Sequence, residues 1–171
     1  MAKRLISDGY GQLELNQVAF RRDGRIEAQC KLDDSIDFVE NGMILAVDQA
    51  TRTVKMPTGE DDFLALNYTT EHMYDERLVH GLKHFKLEKN SFLPRLGYLA
   101  TGDKFTTNCV SIVTAKDDYA TIEEVIAAGV YGHPSADGSI LVNNEKTGAV
   151  VKVVCATTMP DGQPAVKFIA L

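Results

Sequence analysis

The chain has 171 residues, 44% hydrophobic, 8% aromatic and 25% charged, with 18 Lys+Arg against 24 Asp+Glu and a net charge of −6. That length closes a hydrophobic core without disulfide staples, and that composition excludes intrinsic disorder. The acidic balance, with no basic run longer than a pair such as Arg21-Arg22, argues against a nucleic-acid-binding face, which needs clustered cations.

In chain order, residues 1–12 read as an extended N-terminal arm, because Gly9 and Gly11 loosen a stretch with little apolar content. Lys3, Arg4, Leu5 and Ile6 set positive charge beside apolar side chains in an acidic protein. They are the candidate partner-binding residues, expected to be mobile alone and ordered on a partner. No apolar run follows them, so a signal peptide is not expected. Residues 13–171 read as a single β-rich domain, with a possible joint near 116–118.

Turn signals punctuate that domain at Asp23-Gly24, Asn41-Gly42, Thr58-Gly59, Gly102-Asp103, Asp137-Gly138, Thr147-Gly148 and Asp161-Gly162. Between them lie short runs rich in Val, Ile, Phe, Tyr and Thr, the spacing of a mainly β, antiparallel barrel or sandwich. Leu13–Phe20 and Arg25–Leu32 are expected to form a hairpin on Asp23-Gly24, with Ile26, Ala28, Cys30 and Leu32 on one face. Further strands are expected at 43–47, 53–56, 63–68, 105–113 and 139–142. A closing hairpin spans 150–157 and 165–169 around Met159-Pro160-Asp161-Gly162-Gln163. One short helix is expected over 121–129, with Thr121 and Glu124 as a capping box and Gly129 as the stop. A weaker one is expected over Glu71–Val79.

No sequence pattern points to catalysis or to a cofactor. A P-loop, a G-x-G-x-x-G and a G-x-S-x-G are all missing. His80 and His84 have the spacing of two metal ligands on a helix, but Gly81 stands where a zincin places its glutamate, so no metal site is expected. The carboxylate pairs Asp33-Asp34, Asp117-Asp118 and Glu123-Glu124, and the run Glu60-Asp61-Asp62, sit at turns or helix starts, where acidic residues are ordinary. Cys30, Cys109 and Cys155 are odd in number and scattered inside apolar runs, so all three are expected to be buried and reduced. Apolar stretches fall well short of the ~20 residues of a membrane span.

The stretch from Asn41-Gly42-Met43-Ile44-Leu45 through Val54-Lys55-Met56-Pro57 and Phe92-Leu93-Pro94-Arg95-Leu96-Gly97-Tyr98-Leu99 to Gly102-Asp103-Lys104-Phe105-Thr106-Thr107-Asn108 resembles the small β-rich virion proteins of tailed bacteriophages. Within that set it is most similar to capsid decoration, or cement, proteins. The resemblance implies a non-enzymatic protein made in the bacterial host cytoplasm and located on the virion. Its implied partners are the major capsid protein and other copies of itself, with no nucleic acid or membrane. A head-fibre, tail or receptor-binding component, and a small β-barrel enzyme, are the alternatives.

Overall fold

The computed structural model describes residues 1–59, 63–71 and 81–171, which are mainly β with one α-helix. The strands are β1 (Lys3–Arg4), β2 (Leu13–Gln17), β3 (Ile26–Glu27), β4 (Lys31–Leu32), β5 (Phe38–Val39), β6 (Ile44–Asp48), β7 (Thr53–Lys55) and β8 (Leu64–Asn67). A 3-10 turn (Gly81–His84) precedes β9 (Leu87–Glu88), β10 (Leu96–Gly97), β11 (Lys104–Thr107) and β12 (Val110–Ile112). Helix α1 (Ile122–Ala128) follows, then β13 (Tyr131–Pro134), β14 (Ile140–Asn143), β15 (Val151–Thr158) and β16 (Pro164–Ala170). The helix expected over Glu71–Val79, the Glu60–Asp62 run, His72 and His80 lie, Glu71 apart, outside the described residues.

Eight strands form the larger sheet in the order β1-β12-β14-β13-β15-β16-β11-β2, six form a second in the order β3-β10-β8-β6-β7-β4, and β5 pairs with β9. Most pairs are antiparallel, but β12–β14 and β4–β7 are parallel, so both larger sheets are mixed. β1 and β2 stand at opposite ends of the eight-strand order and do not pair, which leaves that sheet open. The main core gathers Phe105, Val110, Ile112, Ile140, Val151, Val166 and Phe168 of the larger sheet with Ile44 and Leu66 of the second and Val125 of α1. A second cluster, including Leu45, Val54, Leu87, Leu96 and Cys109, packs elsewhere on the six-stranded sheet. The loop around 116–118 runs between β12 and α1, which share the main core, so it separates no domains.

Locally encoded elements form as expected. Thr121 accepts from the Glu124 backbone N–H at 3.3 Å, and the Glu124 carboxylate accepts from the Thr121 N–H at 3.0 Å, closing both halves of the capping box. The β15–β16 hairpin turns at Met159–Gln163, with the Met159 N–H on the Gln163 carbonyl at 2.8 Å and Gly162 at φ 87°.

Three expectations are corrected. The Asp23-Gly24 hairpin does not form: β2 pairs with β11, and β3 pairs with β10 of the other sheet. Phe20 explains the parting. Its ring is fully buried against Gly97, where a Cβ would stand 2.6 Å from the ring, and the chain coils around it with Asp23 N–H on Ala19 O and Arg25 N–H on Phe20 O. Ile26 and Ala28 are consequently exposed, and only Cys30 and Leu32 of the expected face are buried. The run 105–113 is broken into β11 and β12 at Asn108 and Cys109. Cys155 is exposed, unlike Cys30 and Cys109. A register shift between Val153 and Cys155 makes Val154 an extra residue opposite β16, and the in-out alternation fails there.

Candidate interaction surface

The structure corrects the reading of the first twelve residues as a loose arm. β1 lies antiparallel to β12, with Lys3 opposite Ile112 and Arg4 opposite Ser111. Its other edge is occupied too: the Ala120 N–H donates to Arg4 O at 2.8 Å and the Ile6 N–H to Ala120 O at 3.0 Å. Leu5 is 2% exposed and belongs to the main core. The Gly11 N–H donates to Glu40 Oε2 and the Gln12 N–H to Asn108 Oδ1, each at 2.7 Å. The backbone of this segment is bonded at successive points to β12, the pre-α1 loop, Glu40 and Asn108, which is why it does not hang free.

The four candidate partner-binding residues therefore split. Arg4 faces inward and makes a two-pronged pair with Glu40, Nη1 to Oε1 at 2.9 Å and Nη2 to Oε2 at 2.7 Å, while Nη2 also donates to Cys109 Sγ at 3.1 Å. Burial opposes the guanidinium charge, yet its acidic neighbours hold its pKa above the ordinary value. Burial pushes the Cys109 thiol up to about 12, against the pull of Arg4. Arg4 is thus half-buried against Glu40 and Leu5 is inside the protein. Lys3 and Ile6 face out, Lys3 paired with Asp118 at 3.2 Å and Ile6 52% exposed.

Around those two outward residues lies a broad, shallow depression of about 580 Å³, lined by Lys3, Ile6 and residues 116–121. Tyr119, 58% exposed, and Ile6 supply apolar surface, with Lys3, Lys116, Asp117 and Asp118 around them. Exposed apolar side chains rimmed by both signs of charge are the composition of a protein contact patch. Tyr119 escaped the sequence reading; its signal is an aromatic residue between a double aspartate and the Thr121 helix cap.

The Gly102–Asn108 run is a structural anchor. Asp103 accepts from the Ala19 N–H at 2.7 Å and the Ala100 N–H at 2.9 Å. Thr106 donates to Asn16 Oδ1 and Thr107 to Gln12 O, at 2.7 and 2.6 Å. With Asn108 on Gln12, the Gly102–Asn108 run holds chain segment 12–19 in place. Gly42 fits beneath it: φ is +88°, and a Cβ there would meet Thr107 Oγ1 at 2.0 Å.

A buried hydroxyl pair, Ser111–Ser139 at 2.7 Å, continues from Ser139 to Asp137 Oδ1 at 2.6 Å, but no histidine joins it among the described residues. His133 instead bonds the Glu145 carbonyl through Nε2 at 2.8 Å. Among the described residues no three His, Cys, Asp or Glu side chains are grouped to hold a metal, and no helix is long and apolar enough to cross a membrane. Compared with known protein families, curated proteins and solved structures, the chain gives no match.

Proposed function

We propose that this protein is a tailed-bacteriophage virion component that binds the outside of the capsid shell and stabilises it as a decoration protein. Its partners are then the major capsid protein and neighbouring copies of itself on the shell. The two larger sheets serve as the layers of a sandwich-like module, a reading supported by the core that Ile44 and Leu66 share with Phe105 and Phe168. The observation that carries the functional reading is the shallow, mixed depression at Lys3, Ile6 and Tyr119. A shell-binding protein gains affinity from a wide patch of apolar anchors within a polar rim, and this surface has that make-up. The resemblance over roughly residues 40–115 supports that family reading, and the anchoring of segment 12–19 by Gly102–Asn108 gives its motif a physical role.

The test is to incubate the purified protein with expanded, undecorated shells built from the major capsid protein of the same phage, and to image the shells by electron cryo-microscopy. Saturable density at symmetry-related positions is expected, with Tyr119→Ser and Ile6→Ser weakening binding at least tenfold, about 1.4 kcal/mol. Shells that stay bare at saturating protein refute the proposal.

A further inference from the structure

A second, smaller cavity of about 280 Å³ opens between the two larger sheets at the β2 end. Leu13 and Leu15 of β2 line one side. Tyr68 to Glu71, following β8, and Arg95, preceding β10, line the other, with Arg21 and Asn41 completing it. The wall is a continued ladder: the Tyr68 N–H donates to Arg95 O at 2.9 Å and the Arg95 N–H to Thr69 Oγ1 at 3.0 Å.

Two polar atoms here are buried with no partner among the described residues, Tyr68 Oη and Asn41 Oδ1. Asn41 is 3% exposed, and both protons of its amide are committed, to Thr69 O at 3.0 Å and Glu71 Oε1 at 3.2 Å. Turning the amide over would set its oxygen against that carbonyl, so Oδ1 is held in need of a donor. The Tyr68 ring packs on Phe20 with centroids 4.9 Å apart, which fixes where its hydroxyl sits. Arg21 and Arg95 are exposed, are close enough to bear on the Tyr68 phenol, and have no carboxylate partner among the described residues. β2 is also the last strand of its sheet, so its outer edge has no strand partner among the described residues.

We propose that this groove binds an extended, acidic segment of a protein partner, laid along the free edge of β2. The chemistry selects that occupant over a simple anion. Two guanidiniums call for a carboxylate, Asn41 Oδ1 calls for an N–H, and a free strand edge calls for alternating N–H and C=O groups. Glu71 sits in the same cavity, half-buried, with burial pushing its carboxyl above the usual range. Its presence sets polarity: the partner's carboxylate lies toward Arg21 and Arg95, and main-chain N–H groups lie toward Asn41 and Glu71. Leu13 and Leu15 accept the apolar parts of the segment.

The experiment uses the ¹⁵N-labelled full chain, titrated with blocked Thr-Asp-Thr-Glu-Thr, its isostere Thr-Asn-Thr-Gln-Thr, and acetate. Saturable shifts are expected at the amides of residues 13–17, 68–70 and 95 with the acidic peptide. The isostere should bind at least tenfold more weakly, and Arg21→Gln with Arg95→Gln, both at exposed positions, should abolish the preference. Equal binding of the two peptides, shifts confined elsewhere, or no saturation by about 10 mM, beyond the weak end of specific binding, overturns the inference. Acetate reproducing the whole pattern overturns the extended-segment occupant. The groove stands apart from the capsid reading: bare shells with a peptide-binding groove remove only the proposed function, and decorated shells with a silent groove remove only this inference.

Discussion

Leu5 and Ile6 are adjacent, similar in size and both apolar, and the structure assigns them opposite fates. Leu5→Ala removes three carbons, a methine and its two methyls, from a side chain enclosed by the main core. The surroundings are poorly placed to collapse into the space, because β1 is bonded to Val110 on one side and Ala120 on the other. Buried leucine-to-alanine changes cost about 2–5 kcal/mol, more where the site cannot relax, so about 3–4 kcal/mol is expected. For a domain of this size, each kcal/mol moves the melting temperature by about 2–4 °C, giving a fall of about 6–16 °C. Ile6→Ala, at a half-exposed position, should stay within about 0.5 kcal/mol, or about 2 °C. Differential scanning calorimetry of the two variants and the parent reads this directly. If the segment were a frayed arm, the two substitutions would be alike and small. Melting temperatures of Leu5→Ala and Ile6→Ala within about 2 °C of each other would refute its placement in the core.

Thiol accessibility follows from the same structure. With the Cys30 thiol pushed up to about 11 and Cys109 to about 12, both first of all by burial, and Cys155 exposed, one thiol per chain should react quickly with Ellman's reagent and two only after denaturation. Two or more fast thiols would contradict the buried placement. Acid stability should depend on Asp137: partial desolvation of its carboxyl raises its pKa, but hydrogen bonds from Ser139 and Ser135 outweigh that and hold it below the usual range. A carboxylate depressed in the folded state contributes stability above its ordinary pKa of ~4 and loses it as the pH falls through the folded value. Asp137→Asn should therefore be less stable at pH ~7 and show a shallower decline between pH ~5 and ~3, the range spanning that ordinary value. Urea midpoints that fall in parallel for the two proteins would show that Asp137 is not responsible.

Much was legible where the determining contacts lie within a few residues. The Thr121–Glu124 capping box, the Met159–Gln163 turn and the strands now seen as β6, β7, β8 and β14 to β16 each rest on local alternation, caps or turn residues. The mainly β class follows from their number and spacing. Of the residues lining the depression at Lys3, the pairing of charge with apolar groups along the chain singles out Lys3 and Ile6. It does not reach Tyr119, Arg21 or Arg95, since nothing in their neighbours along the chain sets them beside a cavity.

Pairing across distance belongs to the tertiary structure alone. Asp23-Gly24 is a sound hairpin signal, but burying the Phe20 ring against Gly97 and Tyr68 outweighs it and sends the flanking strands into different sheets. Residues 1–12 carry two glycines and few apolar side chains, so nothing local holds them. Their order comes from Val110, Ala120, Glu40 and Asn108, at least 29 residues away from the groups they bond in the case of Gly11 and Glu40. The physical reason is that turn and capping energies are local and modest, whereas satisfying buried backbone groups and excluding water from large side chains depends on which segments meet. Composition and periodicity thus decided which segments become strands; burial and hydrogen-bond satisfaction in three dimensions decided that the N-terminus is an edge strand with Leu5 in the core, that Cys155 faces solvent, and that an arginine-flanked groove lies at the end of β2.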